Sequence, residues 1–517
     1  MDGEIAARYL RNIVLGSFVI LILLPFVYVV VAAFFSPDAA QNFSQLDART
    51  ISLLFKSVLL AAVVAFFATL IGGALAFFLY KTEMKFAATL KILVLIPLFV
   101  SPYVFATAWR DFFFSFFSRT DIFAPLLGTA WVLILVYAPL AMIVIGNAFA
   151  NVDATFEEQG LTVTAPRNVI IKIVFPLVKK AFLTAFVLVF IFALSNFSVP
   201  ELLGANVFAV EIFTEFSAFY NHSLAIIQAL LLALVCLSLL TFEKKQISEA
   251  RFFSVGLKGK KTFRYNIKNS LPFLFVLFWI FLTSFFPLAV LISKIPDFKT
   301  LANAFALLRD AILNSLGLSF VSAIFIVLIG LAATLGSDKN KPTALFNGSA
   351  LFTFALPSIA LGIALIKFYN TSALEFIYAT ATIIVLAHVG KFSFVSTKII
   401  GNTLSQIPAS FEEAAKLAGA KYFTRMFKII LPQIAPALFA TFAISFVFSF
   451  GEVAATIMVY PPGTELLSVK VFTISSNAPQ ALVSAMTFLL FASTLSVFVL
   501  FYLISKPFMK KFNFANA

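Results

Sequence analysis

Charge is what this sequence has least of. Only 12% of its 517 residues are Asp, Glu, Lys or Arg, against about 25% in soluble domains. A chain this poor in charge cannot cover a water-facing surface, so a soluble globular fold is excluded. Cysteine is nearly absent as well. The single Cys236 lies in an apolar run and excludes a disulfide within the chain. There are two histidines, His222 and His388, and no Cys/His cluster. That leaves no ligand set for a zinc or iron enzyme site, and His388 reads as a buried, hydrogen-bonded helix residue. No GxxxxGK[ST] segment occurs, and Gly256 to Lys261 has the wrong spacing. The chain therefore lacks a phosphate loop of its own. No nucleophile–base constellation can be assembled, which disfavours an enzyme.

Apolar residues make up 62% of the chain, and the mean hydropathy is +1.03. Twelve segments are long enough to cross a bilayer about 30 Å thick: 13–35, 54–80, 87–109, 126–149, 176–198 and 222–242, then 271–293, 311–336, 344–367, 374–400, 432–456 and 480–504. Pro97, Pro102, Pro139 and Pro357 fall in or at the edges of these spans and predict kinks. The first span is long enough to stay in the membrane, not the pattern of a cleavable signal. The 68 Phe suit lipid-facing surfaces, and no site is read into them.

Net charge is +14. Nucleic-acid binding is one reading, but topology explains the excess better. With both termini in the cytoplasm, most Lys and Arg fall on the inner side, among them Lys81, Lys179, Lys180, Lys391, Lys398, Lys421 and Lys510. The one long basic segment, Glu243 to Ser270, reads as a cytoplasmic linker at the anionic inner leaflet. It divides the chain into 1–242 and 271–517.

The two parts resemble each other. Gly146, Asn147, Ala154, Phe156, Glu157 and Glu158 recur 255 residues later as Gly401, Asn402, Ala409, Phe411, Glu412 and Glu413. Ser57, Gly72 and Ala74 recur 258 residues later as Ser315, Gly330 and Ala332. Self-similarity at a fixed long period marks a duplication.

The best-defined polar element is Phe411 to Pro432, inside the loop 404–430 and the start of the next span. Strong helix formers run from Phe411 to Ala418. Ser410 is placed to cap them, with Glu412 and Glu413 in the first turn, where the helix dipole favours acids. Gly419 can take the positive φ that ends a helix. A second short helix is expected from Lys421 to Ile430, with Pro432 opening the next one.

The spacing Glu413-Ala414-Ala415, Gly419, Ile429, Leu431, Pro432 resembles the EAA loop of ABC-importer permeases. The first-half loop, 150–172, is a faded copy: Gln159-Gly160 replace Ala-Ala and Thr164 stands where glycine is expected. The chain as a whole resembles the fused two-half permease of ferric-iron-transport type. Asn196 to Gly204, Gly451 to Thr456 and Tyr460 to Leu467 point to that branch.

The resemblance implies an all-α, type I permease fold of two six-helix halves in a bacterial inner membrane. It implies a periplasmic or lipoprotein binding protein and two copies of an ATPase subunit that carry ATP and Mg, with no cofactor on this chain. Phe411, Glu412, Glu413, Ala414, Ala415 and Gly419, with Phe156, Glu157 and Glu158, would couple to the ATPase. The cargo would be ferric iron; thiamine, phosphonate or another small solute is the alternative. A secondary transporter is the rival from another class, and would need ion-binding groups in mid-span. Asp111, Glu201, Glu211, Glu215, Lys367, Glu375 and Lys391 sit near predicted span ends, where snorkelling suffices. Glu452, beside Gly451, is the mid-span exception. Glu452, Gly451 and Glu201 are the candidates for a translocation path.

Overall fold

Asp47 opens the second span by accepting the Thr50 N–H at 2.8 Å, and Asp297 opens its counterpart through Thr300 N–H at 2.7 Å. Such caps satisfy backbone donors that a helix leaves unpaired. The structure is a computed structural model that describes residues 2–35, 46–117, 125–246, 263–266, 270–335 and 341–513.

Among the described residues the first half contains α1 (Glu4–Phe34), α2 (Ala48–Lys81), α3 (Ala87–Phe99), α4 (Pro102–Phe116), α5 (Pro125–Ala150), α6 (Ala154–Val163), α7 (Pro166–Leu194), α8 (Ser198–Leu203), α9 (Phe208–Ser217) and α10 (His222–Phe242). The second half repeats the order, with one added helical turn at Glu375–Tyr378: α11 (Leu271–Ser293), α12 (Phe298–Thr334), α13 (Thr343–Ala355), α14 (Ser358–Tyr369), α15 (Thr382–Leu404), α16 (Ala409–Leu417), α17 (Tyr422–Gly451), α18 (Thr456–Val459), α19 (Leu467–Ser475) and α20 (Gln480–Ser505).

Ten of these helices are long and apolar enough to cross a membrane. The expected spans 87–109 and 344–367 are each a helix pair, bent by 88° between α3 and α4 and by 113° between α13 and α14, so the count is ten single helices, or twelve spans with each bent pair taken as one. Proline is the cause. Pro102 and Pro357 lack the N–H that would continue the ladder, and Val100 and Pro357 are extended, with ψ of 142° and 136°. Pro97 and Pro139 stay inside α3 and α5.

Proline also explains four π-turns, at Val19–Leu23, Ile170–Val174, Phe281–Phe285 and Met426–Ile430. Each is followed, two residues on, by Pro25, Pro176, Pro287 or Pro432. A proline ring crowds the carbonyl four residues back, and one widened turn relieves it. The segment from Lys421 to Ile430 is therefore not a separate helix as expected. It runs through its π-turn into α17.

The duplication is visible in contacts. The Phe208 N–H donates to Ser57 Oγ at 2.7 Å, and the Leu467 N–H to Ser315 Oγ at 2.6 Å. Gly72 and Gly330 mark close approaches in the two halves, α2 on α5 and α12 on α15. A Cβ would lie 2.5 Å from the Ala138 carbonyl at the first and 2.0 Å from Ser396 Oγ at the second. Small residues let membrane helices approach this closely.

The first helix of each half packs on the other half. In α1, Phe18 and Phe26 meet Phe346 and Phe352 of α13 at 4.9 and 5.0 Å, and Leu21 accepts the Tyr369 hydroxyl at 2.8 Å. In α11, Phe286 meets Trp109 and Phe112 of α4, both at 4.8 Å. The boundary at 242 therefore divides the chain order, while packing exchanges α1 and α11 across it. Most of the linker 243–270 lies outside the described residues.

Candidate functional site

Two sites emerge, one at an end of the bundle and one at its centre. At the end, α6 and α16 follow α5 and α15 as short polar helices. Their registers match: Phe156 and Phe411 are about half exposed (54% and 53%), and Glu158 and Glu413 face outward. Val163 and Leu417 are 87% and 90% exposed. Each helix thus presents an acid and apolar side chains beyond the helical bundle.

The inner glutamates behave differently. Glu157 is fully buried and ion-paired with Lys81 at the end of α2, 2.5 Å away. Its other oxygen accepts the Tyr265 hydroxyl at 2.9 Å. Tyr265 comes from the linker and pairs its backbone with Lys81 and Glu83, at 2.7 and 3.1 Å. Burial, then the Glu157 contact, pushes the phenol above its ordinary range, so it remains a donor. Glu412 is half-buried, 3.3 Å from Lys416 and 3.8 Å from Arg425. Arg425 is itself buried and paired at 2.5 Å with Glu4 of α1. One end of the chain thus braces the second loop, and the linker braces the first.

The helix ends differ as well. Gly419 has φ +77°, its N–H donates to the Lys416 carbonyl, and the Ala420 N–H donates to that of Ala415, both at 3.0 Å. This pair of bonds is the Schellman arrangement. In the first loop Thr164 is extended at φ −148° and Pro166 starts α7. A β-branched residue resists positive φ, so the chain leaves α6 by another route. Ser410 does not cap α16: the helix begins at Ala409, one residue earlier, with Pro408 at the cap. Ala415 is buried, while Ala414 is exposed.

At the centre, the two helix breaks meet around a cavity of about 140 Å³. Its lining repeats at the offset of 255: Phe99 with Phe354, Val136 with Lys391, Tyr137 with Phe392, and Asn196 with Gly451. The cavity therefore sits between the halves. A smaller apolar pocket adjoins it and shares Leu98, Phe99, Phe192, Phe354 and Phe448. It runs toward Ile143 and Val395, the parts of α5 and α15 that lead to α6 and α16. Phe192 lies 5.8 Å from Phe354 and 6.3 Å from Phe448, so aromatic rings from both halves close that side.

Glu452 and Gly451 line the cavity; Glu201 lies on α8, exposed and outside its lining. Glu452 accepts the N–H groups of Ala455 and Thr456, each at 2.9 Å, and the Thr456 hydroxyl at 2.8 Å. Because that hydroxyl donates to Glu452, it accepts from His388 Nε2 at 3.1 Å. His388 Nδ1 then accepts from Ser322 at 3.1 Å. A polar chain thus ties α12, α15 and α18 to the cavity wall. Asn196 does the equivalent capping in the first half, accepting the Val199 N–H at 3.1 Å.

Lys391 is a correction. It lies neither near a span end nor at the inner surface, but midway along α15, 6% exposed. Its ammonium donates to the Phe354 and Leu356 carbonyls at 3.0 and 2.6 Å, freed where α13 breaks. Sequence reasoning missed it because the expected span was drawn several residues early. Among the described residues no group of three or more His, Cys, Asp or Glu could hold a metal ion.

The fold and these sites define a membrane permease of duplicated architecture. Residues 329–510 match the family of binding-protein-dependent transport system inner membrane components. A relative from Salmonella paratyphi A, named Putative 2-aminoethylphosphonate transport system permease protein PhnV, is 30% identical over 36% of this chain and 71% of its own length. The Fe(3+)-transport system permease protein FbpB 2 of Haemophilus influenzae is 23% identical over 89% of this chain and 91% of its own. The Ferric transport system permease protein FbpB of Actinobacillus pleuropneumoniae is 24% identical over 80% and 66%. The chain belongs to the family of binding-protein-dependent inner membrane components and is an ABC-importer permease. That membership sets aside the secondary-transporter reading.

Proposed function

We propose that this permease carries ferric iron, received from a binding protein outside the membrane, through the cavity between its halves. The observation that carries the reading is the ferric-transport relative matched over 89% of this chain and 91% of its own length. ATP hydrolysis takes place on two copies of a separate ATPase subunit, which also holds the Mg. One copy docks on α6 and the other on α16, through the exposed Phe156 and Glu158 and through Phe411 and Glu413. Both termini and the basic linker face the cytoplasm. ATPase closure draws α6 and α16 together, and the halves rotate about the cavity, a rigid-body switch between two packings.

The single charged pair in the cavity lining, Lys391 and Glu452, favours a second reading, a small anionic or zwitterionic solute. The test is uptake of radio-iron by vesicles holding permease, ATPase and binding protein. Uptake should require ATP and the binding protein. It should fall in Glu413→Lys more than in Glu158→Lys, because the first loop has lost the Ala-Ala and glycine of its motif. Uptake of iron without the binding protein, or greater damage from Glu158→Lys, contradicts the reading.

A further inference from the structure

The second half builds its helix break with a lysine; the first half builds the same kind of break without one. Val136 holds the place 255 residues before Lys391, and both line the cavity. Lys391 is therefore not required by the architecture, and it is costly. A charged side chain at the centre of a membrane helix is expensive and usually marks a functional path. Two carbonyl bonds offset part of that cost. An ammonium has three donors, and two of them reach carbonyls among the described residues, which leaves the third for a ligand.

Two more polar groups in the same lining lack partners. Ser101, 2% exposed at the first break, and Ser195, 9% exposed at the end of α7, have hydroxyls with no hydrogen bond. Buried hydroxyls are normally paired. Gly451 leaves room beside Ser101, since a Cβ there would lie 3.9 Å from the Ser101 N and Cα. Glu452 makes no hydrogen bond or ion pair with Lys391 among the described residues; its oxygens accept from Ala455 and Thr456.

We propose that Lys391, Ser101 and Ser195 form an oxyanion subsite in the cavity, which receives a phosphate-, phosphonate- or carboxylate-type group of the cargo. The inference rests on the cavity's being the translocation path. The oxyanion has two sources: an anion still bound to the iron as it crosses, or the head group of an organic solute. A lone trivalent cation would meet the Lys391 ammonium, and among the described residues it would find no cluster of three carboxylates.

The test uses the complete importer in vesicles with ATP on the ATPase side. One arm offers radio-iron with labelled inorganic phosphate as the sole oxyanion outside; the other offers labelled 2-aminoethylphosphonate. The variants are Lys391→Met and the double variant Ser101→Ala/Ser195→Ala, which leaves the lysine's carbonyl bonds intact. The subsite predicts that iron and phosphate enter together and that both variants lower uptake about tenfold or more, the loss expected for one charge-assisted hydrogen bond. Phosphonate uptake with the same losses, and no iron uptake, upholds the subsite and overturns the ferric reading. Iron entering without labelled phosphate, or either cargo crossing at the wild-type rate in both variants, overturns the subsite and leaves the permease assignment standing. Uptake of neither cargo by the wild type removes both readings.

Discussion

Phe-Glu-Glu occurs in both loops, and the structure gives its two acids different environments. Glu157 turns inward to Lys81, and Glu158 turns out. The sequence could place both acids on one short helix but not assign their faces. That depends on α2 ending in Lys81 beside α6, a contact between residues 76 apart. The buried pair yields a sharp prediction. Removing one partner leaves an uncompensated charge, at a cost of about 3–5 kcal/mol, whereas replacing both with apolar groups can be nearly neutral. Lys81→Met and Glu157→Met should each lower thermal stability in detergent clearly, and the double variant should recover much of the loss. Additive losses would show that the pair is not coupled. Lys391 was equally hidden: its role depends on carbonyls freed by a break in another helix.

At the scale of elements, the glycine at the end of α16 was legible because its reason is local. Only a residue tolerant of positive φ closes that turn, and Gly419 does so at +77°. Gly419→Val should cost about 1–3 kcal/mol of local strain, move the end of α16, and weaken ATPase co-purification while leaving membrane insertion intact. Thr164→Gly should change neither, since Thr164 is extended. Normal ATPase recovery with Gly419→Val would contradict this account of the turn. The prolines were legible as irregularities but not by type. Pro102 and Pro357 break helices, whereas Pro176 and Pro432 only widen a turn. The difference lies in the residue before each: Phe175 and Leu431 stay helical, while Ser101 is outside α3 and α4, and Leu356 is outside α13 and α14.

At the scale of the molecule, composition and the 255-residue repeat were enough to read a duplicated bundle. They could not show that α1 and α11 cross over to the opposite half, because apolar periodicity records that a face is buried, not by which neighbour. The swap means that each half is completed by a helix from the other, so motion of one half is felt by both.

The central claim is that a partner ATPase works this permease from the end that carries α6 and α16. Cys236 is the only cysteine and is buried, so a Cys236→Ser background accepts single reporter cysteines. The direct measurement is crosslinking of the ATPase to Glu413→Cys and, separately, to Glu158→Cys, with Glu465→Cys in the loop before α19 as the control. The account predicts crosslinks to the ATPase at positions 413 and 158 and none at 465. A crosslink at 465, with positions 413 and 158 silent, would contradict it.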